Sequence, residues 1–300
     1  MNKPAKNIFF LGKGGVGKST TSAITALYLS ERGKNVQLIS MDPAHNQSDI
    51  FEKSFGEKAV KLNKHLAVKE VDLNKWVKKY LADIQFQVKR SYSYLTAFNL
   101  EHYLDLIKYS PGIEEYAMLM AYKDIRKKAK GIDYIIFDMP PTALTLKFMT
   151  LPQTSLLWLK KLMDLRNKII EKRKIISKIK FGTKEIETDK IRNKLTEQIK
   201  DYNEIELIFK NPDQTLLNLV MNPDKLSFSE SMLIVEHLKK FNITIQNIFL
   251  NKYNSQFGIS HIQKQFSNTN LQLLSESNNP LIGIPELTNY INNLATFIEL

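Results

Sequence analysis

A chain of 300 residues with 43% apolar content and a net charge of +12 is long enough to bury a large core as a single domain. It has no cysteine, which excludes disulfides, thiolate zinc sites and cysteine-held clusters, so neither zinc nor an iron–sulfur cluster is expected. No apolar stretch approaches the ~20 residues that span a bilayer, and the run 8–11 is too short for the core of a signal peptide. A soluble, cytoplasmic protein is the expectation.

The apolar run 7–11 reads as a buried strand. Directly after it stand Gly12, Lys13, Gly14, Gly15, Val16, Gly17, Lys18, Ser19 and Thr20, matching the pattern G-x-x-x-x-G-K-[ST]. Glycines let backbone N–H groups approach a polyphosphate, Lys18 neutralises its terminal oxygens, and the Ser19 hydroxyl suits Mg²⁺. Residues 19–32 read as a helix stopped by Gly33, which sets the loop on a helix N-terminus that favours anions. Strand, loop and helix in this order argue against a chance glycine-rich turn. Lys13 is the unusual position; on the loop alone it reads equally well as a solvated lysine.

The strand 36–39 leads into Ser40, Met41, Asp42, Pro43, Ala44, His45 and Asn46, with Asp49 following. Ligands of parallel sheets lie at C-terminal strand ends, so Asp42 is expected to face the phosphates, where a carboxylate can orient an attacking water. An aspartate before a proline at a turn is also common. After a strand at 66–71, residues 73–130 are helical in pattern and rich in aromatics: Trp76, Tyr80, Phe86, Tyr92, Tyr94, Phe98 and Tyr103. The strand 134–137 then ends in Asp138, the form of a carboxylate that reaches Mg²⁺ directly or through water. Pro140, Pro141 and Thr142 give it a stiff exit.

Residues 156–210 contain no convincing strand. Trp158, Leu162, Leu165, Ile169, Ile176 and Ile179 recur at three- to four-residue steps, widened by Leu159, Met163 and Ile170. A second stripe uses Ile191, Leu195, Ile199, Tyr202 and Ile205. Stripes this wide are most often covered by the protein's own core and less often by a client. Ten basic residues between 158 and 184 face Asp164 and Glu171 alone, a charge that attracts nucleic acid, anionic lipid or an acidic partner. A solvated helix face is the plainer reading. Strands at 216–221 and 245–250 follow, and Ser227, Phe228, Ser229 and Glu230 form the pattern of a capping box opening a helix to about 241. Strands alternating with helices predict an α/β fold: one P-loop domain over 1–300 with a mostly parallel, doubly wound sheet. A helical subdomain, formed by about 73–130 and 153–212, is expected to be inserted into it.

The loop from Lys13 to Ser19 resembles the deviant Walker A loop of a group of ATPases. The group includes chromosome-partitioning and division-site ATPases, nitrogenase iron protein, and the arsenite-pump and tail-anchored-protein-targeting ATPases. Four stretches resemble the last branch. Residues 42–49 are similar to its switch I, and Pro111, Gly112, Ile113, Glu114 and Glu115 to a short motif of the targeting ATPases. Residues 138–152, with Pro141, Thr142, Thr145, Leu146 and Lys147, are similar to its switch II. The order of Asn222, Pro223, Ser229, Glu230 and Asn251 follows the same branch.

The resemblance implies an Mg²⁺-dependent ATP hydrolase working as a homodimer, with a hydrophobic protein client or membrane-protein segment held by the helical subdomain. It also implies that Lys13 reaches across the dimer to the partner's nucleotide and that Asp42 polarises the attacking water beside Asn46. Asp138 and Ser19 would serve Mg²⁺, while Asn251 and the loop carrying Pro285 would recognise adenine. By its own residues, Asn251 reads as an ordinary turn residue. The alternative is a nucleotide switch that binds DNA or a membrane surface, as the partitioning and division-site relatives do; nucleic acid is the less expected partner, and peripheral membrane contact stays open. An arsenite-pump subunit is opposed by the missing thiols, since soft As(III) finds no ligand here. Switch II also departs from the family, with Ala143, Leu144 and Lys147 where Gly, His and Arg are usual, and Met163 is the lone methionine between 153 and 212.

Overall fold

Strand β1 (Lys6–Leu11) shows how the sheet is built. Phe9 and Leu11 point to one face and Ile8 and Phe10 to the other, and all four are buried. A strand apolar on both faces requires cover on both. In the computed structural model, which describes residues 4–44, 46–91, 110–181, 189–256 and 258–294, β1 lies inside an eight-stranded sheet. The other strands are β2 (Val36–Ser40), β3 (Val60–Lys61), β4 (Leu66–Glu70), β5 (Tyr134–Asp138), β6 (Thr215–Met221), β7 (Asn247–Tyr253) and β8 (Asn270–Ser275). Their order is β3-β4-β2-β5-β1-β6-β7-β8, parallel throughout except for the antiparallel β3 at the edge.

The helices are α1 (Lys18–Glu31), α2 (Asn46–Ile50), α3 (Leu73–Ser91), α4 (Ile113–Lys128), α5 (Thr142–Phe181), α6 (Lys190–Lys210), α7 (Lys225–Lys239), α8 (Ser260–Gln265) and α9 (Ile284–Asn292). One face of the sheet packs Phe9 and Phe137 (ring centroids 4.7 Å apart) against Tyr122 of α4, Phe148 of α5 and Phe209 of α6. The other packs Ile8 and Phe10 against Ala23, Ile24 and Leu27 of α1 and Leu287 of α9. This is the α/β architecture expected from the alternation of strands and helices.

Several local expectations are shifted. Asn251 lies within β7, whose ladder is irregular between Leu250 and Tyr253, rather than just past a strand. The helix expected to open at Ser227 begins at Lys225, with Asp224 as its N-cap accepting from the Ser227 N–H. Asp224 offers a carboxylate three residues before Ser227 in the same spacing, and Ser227 Oγ instead accepts the N–H of Asn222. α5 starts at Thr142 and continues through Pro152, so the boundary drawn at 153 falls inside an unbroken helix. On α5, Leu156 and Leu159 are buried while Leu157, Trp158, Leu165 and Ile169 are exposed, Trp158 to 68%. His45, Tyr92, Tyr94, Phe98, Tyr103 and Lys184, and the side chains of Arg173, Lys174, Ile176, Lys178, Ile179 and Lys180, lie outside the described residues.

Candidate functional site

β1 ends beneath a loop that glycine alone permits at two points. Gly12 has φ +146°, and a Cβ there would stand 2.3 Å from the Val220 carbonyl oxygen. Gly17 caps α1 at φ +93°, and its Cβ would stand 2.3 Å from Asn251 Nδ2. That amide donates to the Val16 carbonyl at 2.8 Å, so β7 buttresses the loop from the side. Lys18 is buried, and its Nζ folds back to donate to the Lys13 carbonyl oxygen at 3.1 Å. Burial pulls the Lys18 ammonium below its ordinary pKa, and the charges of Asp138 and Asp42 oppose that shift.

Asp138, at the end of β5, is fully buried. Desolvation pushes its carboxyl up to about 6, against the pull of Ser19, Gln47 and Lys18, with Asp42 adding to the rise. Gln47 binds this cluster together: its buried Nε2 lies 3.0 Å from Asp138 Oδ2, 3.1 Å from the Ser19 carbonyl oxygen and 3.1 Å from Ser22 Oγ. Asn46 Nδ2 donates to Ser19 Oγ at 3.3 Å. Asp42 is buried beyond the end of β2, and its Oδ1 accepts the Ala44 N–H at 3.0 Å. Glu70, at the end of β4, holds the same segment by accepting from both the N–H and the hydroxyl of Ser48.

A cleft of about 680 Å³ opens above these strand ends. Of the residues predicted from sequence, Gly14, Gly15, Gly17, Lys18, Ser19, Thr20, Asp42, Asn46 and Asn251 line it; Gly12, Lys13, Val16, Asp138 and Pro285 do not. Pro285 stands in the first turn of α9, next to a loop whose Gly283 N–H donates to the Ile50 carbonyl. Sequence reasoning missed two parts of the site. Gln47 lies in the quoted stretch 42–49 but was given no role there, because its partner Asp138 is remote in the chain. The end of β8 at Ser275 and the segment after it, with Glu276, Ser277 and Asn279 on the cleft wall, carry a cluster of turn residues behind a strand, which was the available clue. The segment after β5 contributes a contact too: Thr142 Oγ1 donates to the Gly12 carbonyl at 3.3 Å.

Glycine-shaped backbone, a buried lysine and a helix N-terminus together suit a polyphosphate. For a divalent cation, Asp138 Oδ1 is buried and accepts no hydrogen bond among the described residues, and the Ser19 hydroxyl sits beside it. Among the described residues, no group of three or more His, Asp or Glu is placed to hold a metal ion by itself. A single carboxylate with a hydroxyl and phosphate oxygens is the donor set Mg²⁺ accepts, so the residues fit.

The family model for anion-transporting ATPases matches residues 5–272. The chain belongs to the anion-transporting ATPase family. It is 35% identical over 246 residues to a putative arsenical pump-driving ATPase 2 of Aquifex aeolicus, a match that covers 81% of this chain and 79% of that protein. It is 30% identical over 258 residues to an ATPase ASNA1 homolog of Entamoeba dispar, covering 82% of this chain and 76% of the relative. The corresponding homolog of Plasmodium falciparum is 30% identical over 255 residues, covering 84% of this chain but 63% of its own length. Membership of an ATPase family accords with the phosphate-loop geometry. Two stretches quoted for the resemblance meet in space: Lys147, in 138–152, lies 3.2 Å from Glu115, in 111–115. No helix among the described residues is long and apolar enough to cross a membrane.

Proposed function

We propose that this chain is an Mg²⁺-dependent ATPase that closes as a homodimer and holds an apolar segment of a client protein on its long helices. The observation that carries this reading is the continuity of α5. Its first residue, Thr142, is tied to the phosphate loop, and Trp158 stands exposed sixteen residues further on, about 24 Å away at 1.5 Å per residue. The helix runs through Pro152 without a break, so a shift where the γ-phosphate is bound or lost is carried along it to the apolar face.

In the proposed reaction the loop N–H groups and Lys18 bind the phosphates of ATP. Asp42, held by the Ala44 N–H, orients the attacking water, with Asn46 steadying the same segment through Ser19. Asp138 and Ser19 would hold Mg²⁺, which supplies charge neutralisation on the β- and γ-oxygens when bound. Asn251 would meet the base, and Lys13 the nucleotide of the second copy. The helices within 73–130 and 153–212 would form the client-holding unit. Exposed Leu157, Trp158, Leu165 and Ile169 support an apolar client over a metalloid, because the chain has no thiolate to offer As(III).

The test is phosphate release from ATP by the purified chain with Mg²⁺, across a wide range of protein concentration. Specific activity is expected to rise with concentration and to vanish in Asp42→Asn. Asp42→Asn, loaded with ATP, is then offered helical hydrophobic peptides. Capture in no nucleotide state removes the client reading, and absence of hydrolysis at every concentration removes the ATPase.

A further inference from the structure

The outer side of α5 carries charges that the proposed function leaves unused. At about 100° per residue, Leu157, Trp158, Lys161, Leu165, Lys168, Ile169 and Lys172 fall within about 120° of the helix circumference. All seven are exposed. The other side packs inward: Leu156 and Leu159 are buried, and Arg166 reaches Asp189 at the start of α6. Across the outer arc, Lys168, Lys161 and Lys172 form a strip between Leu157 and a second strip of Leu165, Trp158 and Ile169. The arc runs about 22 Å along the axis. Asp164 and Glu171 stand beside it, beyond Leu157. The three lysines have no ion-pair or hydrogen-bond partner among the described residues. An apolar client segment covers the leucines, Trp158 and Ile169 and offers these ammonium groups nothing.

We infer that this face of α5 docks on the surface of an anionic lipid bilayer. A bilayer interface satisfies both strips at once. Leu165, Trp158 and Ile169 enter the boundary of the acyl chains, with the indole at the headgroup level that tryptophan favours. The lysines lay their apolar stems along the same surface and set their ammonium groups at lipid phosphates. The helix lies in the plane of the interface, and no helix among the described residues is long and apolar enough to cross it. A helix of another protein would have to match three lysines with carboxylates at fixed spacing. Anionic headgroups diffuse to the charges and need no register. The inference goes beyond the proposed function, and the two meet on the same residues, so docking on a bilayer and holding a client exclude one another.

The experiment is co-sedimentation of the full chain, without nucleotide, with vesicles of phosphatidylcholine alone or of equal parts phosphatidylcholine and phosphatidylglycerol. Trp158 is one of two tryptophans and the other, Trp76, is buried, so fluorescence reports contact at this face. Binding is expected to the anionic vesicles, weaker at high salt, with emission moving to the blue. The triple variant Lys161→Gln, Lys168→Gln, Lys172→Gln should keep the helix content of wild type by circular dichroism. It should bind about a hundredfold more weakly, at about fivefold per lysine. No binding to anionic vesicles at low salt overturns the inference, and so does a triple variant that binds as wild type does. Binding with unchanged emission places the contact elsewhere and overturns this face. An acidic amphipathic peptide that binds here while vesicles are ignored overturns the bilayer as its occupant. The assay contains neither nucleotide nor client, so its failure leaves the proposed function standing, and loss of hydrolysis or client capture leaves this inference standing.

Discussion

Gln47→Leu tests whether the strand-end cluster is held together by one buried amide. The Gln47 Nε2 has three acceptors within 3.1 Å: Asp138 Oδ2, the Ser19 carbonyl and Ser22 Oγ. An NH₂ carries two protons, so two of these bonds form fully at once. The bond to a carboxylate contributes about 1.5–3 kcal/mol and a neutral one about 0.5–1.5 kcal/mol. Leucine also removes the Gln47 Oε1, a buried acceptor with no donor among the described residues, which offsets part of the loss. The net cost is then about 2 kcal/mol. Gln47→Glu keeps the shape but sets a second carboxylate against Asp138, and should cost more, because two like charges at that distance cannot both ionise. The assay is urea denaturation of the nucleotide-free protein at pH 7, reading the midpoint at constant slope. A Gln47→Leu protein within about 0.5 kcal/mol of wild type, or a Gln47→Glu protein no less stable than Gln47→Leu, refutes the reasoning.

Lys13→Ala should pair with ATP yet hydrolyse it about 10³-fold more slowly, as for a cation supplied from outside the site; normal turnover with pairing verified sinks that role. In Gly17→Ala the new Cβ meets Asn251 Nδ2 at 2.3 Å on a left-handed backbone, so nucleotide affinity should collapse. Asn251→Ala in that background relieves the clash but leaves about 1–2 kcal/mol of backbone strain, so titration with a fluorescent ATP analogue should show partial recovery. Asp189 caps α6 through the N–H groups of Ile191 and Arg192 and accepts a two-pronged bond from Arg166 of α5, which holds its carboxyl below the ordinary range. A depressed carboxylate stabilises the fold above its unfolded pKa, and the contribution is lost as pH falls through the folded value. Asp189→Ala should therefore cost about 0.5–2 kcal/mol at pH 7, and the gap to wild type should narrow below pH 4 in parallel urea titrations.

The phosphate loop was legible because its signal is contiguous: strand, glycines, lysine and helix lie within one short stretch, and local geometry dictates them. The ends of β2 and β5 were legible for the same reason, as apolar runs that stop at Asp42 and Asp138. What stayed hidden depended on partners far along the chain. The capping pattern at 227–230 was ambiguous by itself, since Asp224 offered the same spacing one turn earlier. β3 is two residues long, and β8 alternates buried and exposed positions at a sheet edge, so neither forms the apolar run by which the inner strands announce themselves.

By itself the sequence determined the elements whose driving force is local: an apolar period that must be buried, a glycine loop no other residue type can follow, a helix stop at Gly33. It also settled what the chain cannot do with sulfur. Tertiary structure decided the pairings. Asp138 meets Gln47, Glu115 meets Lys147 and Glu230 meets Lys13 because parallel crossovers bring remote strand ends and helices to one edge of the sheet. The loop's second lysine was visible from the first reading, but the acid that holds it is placed by the packing of α7, and no local pattern encodes that contact.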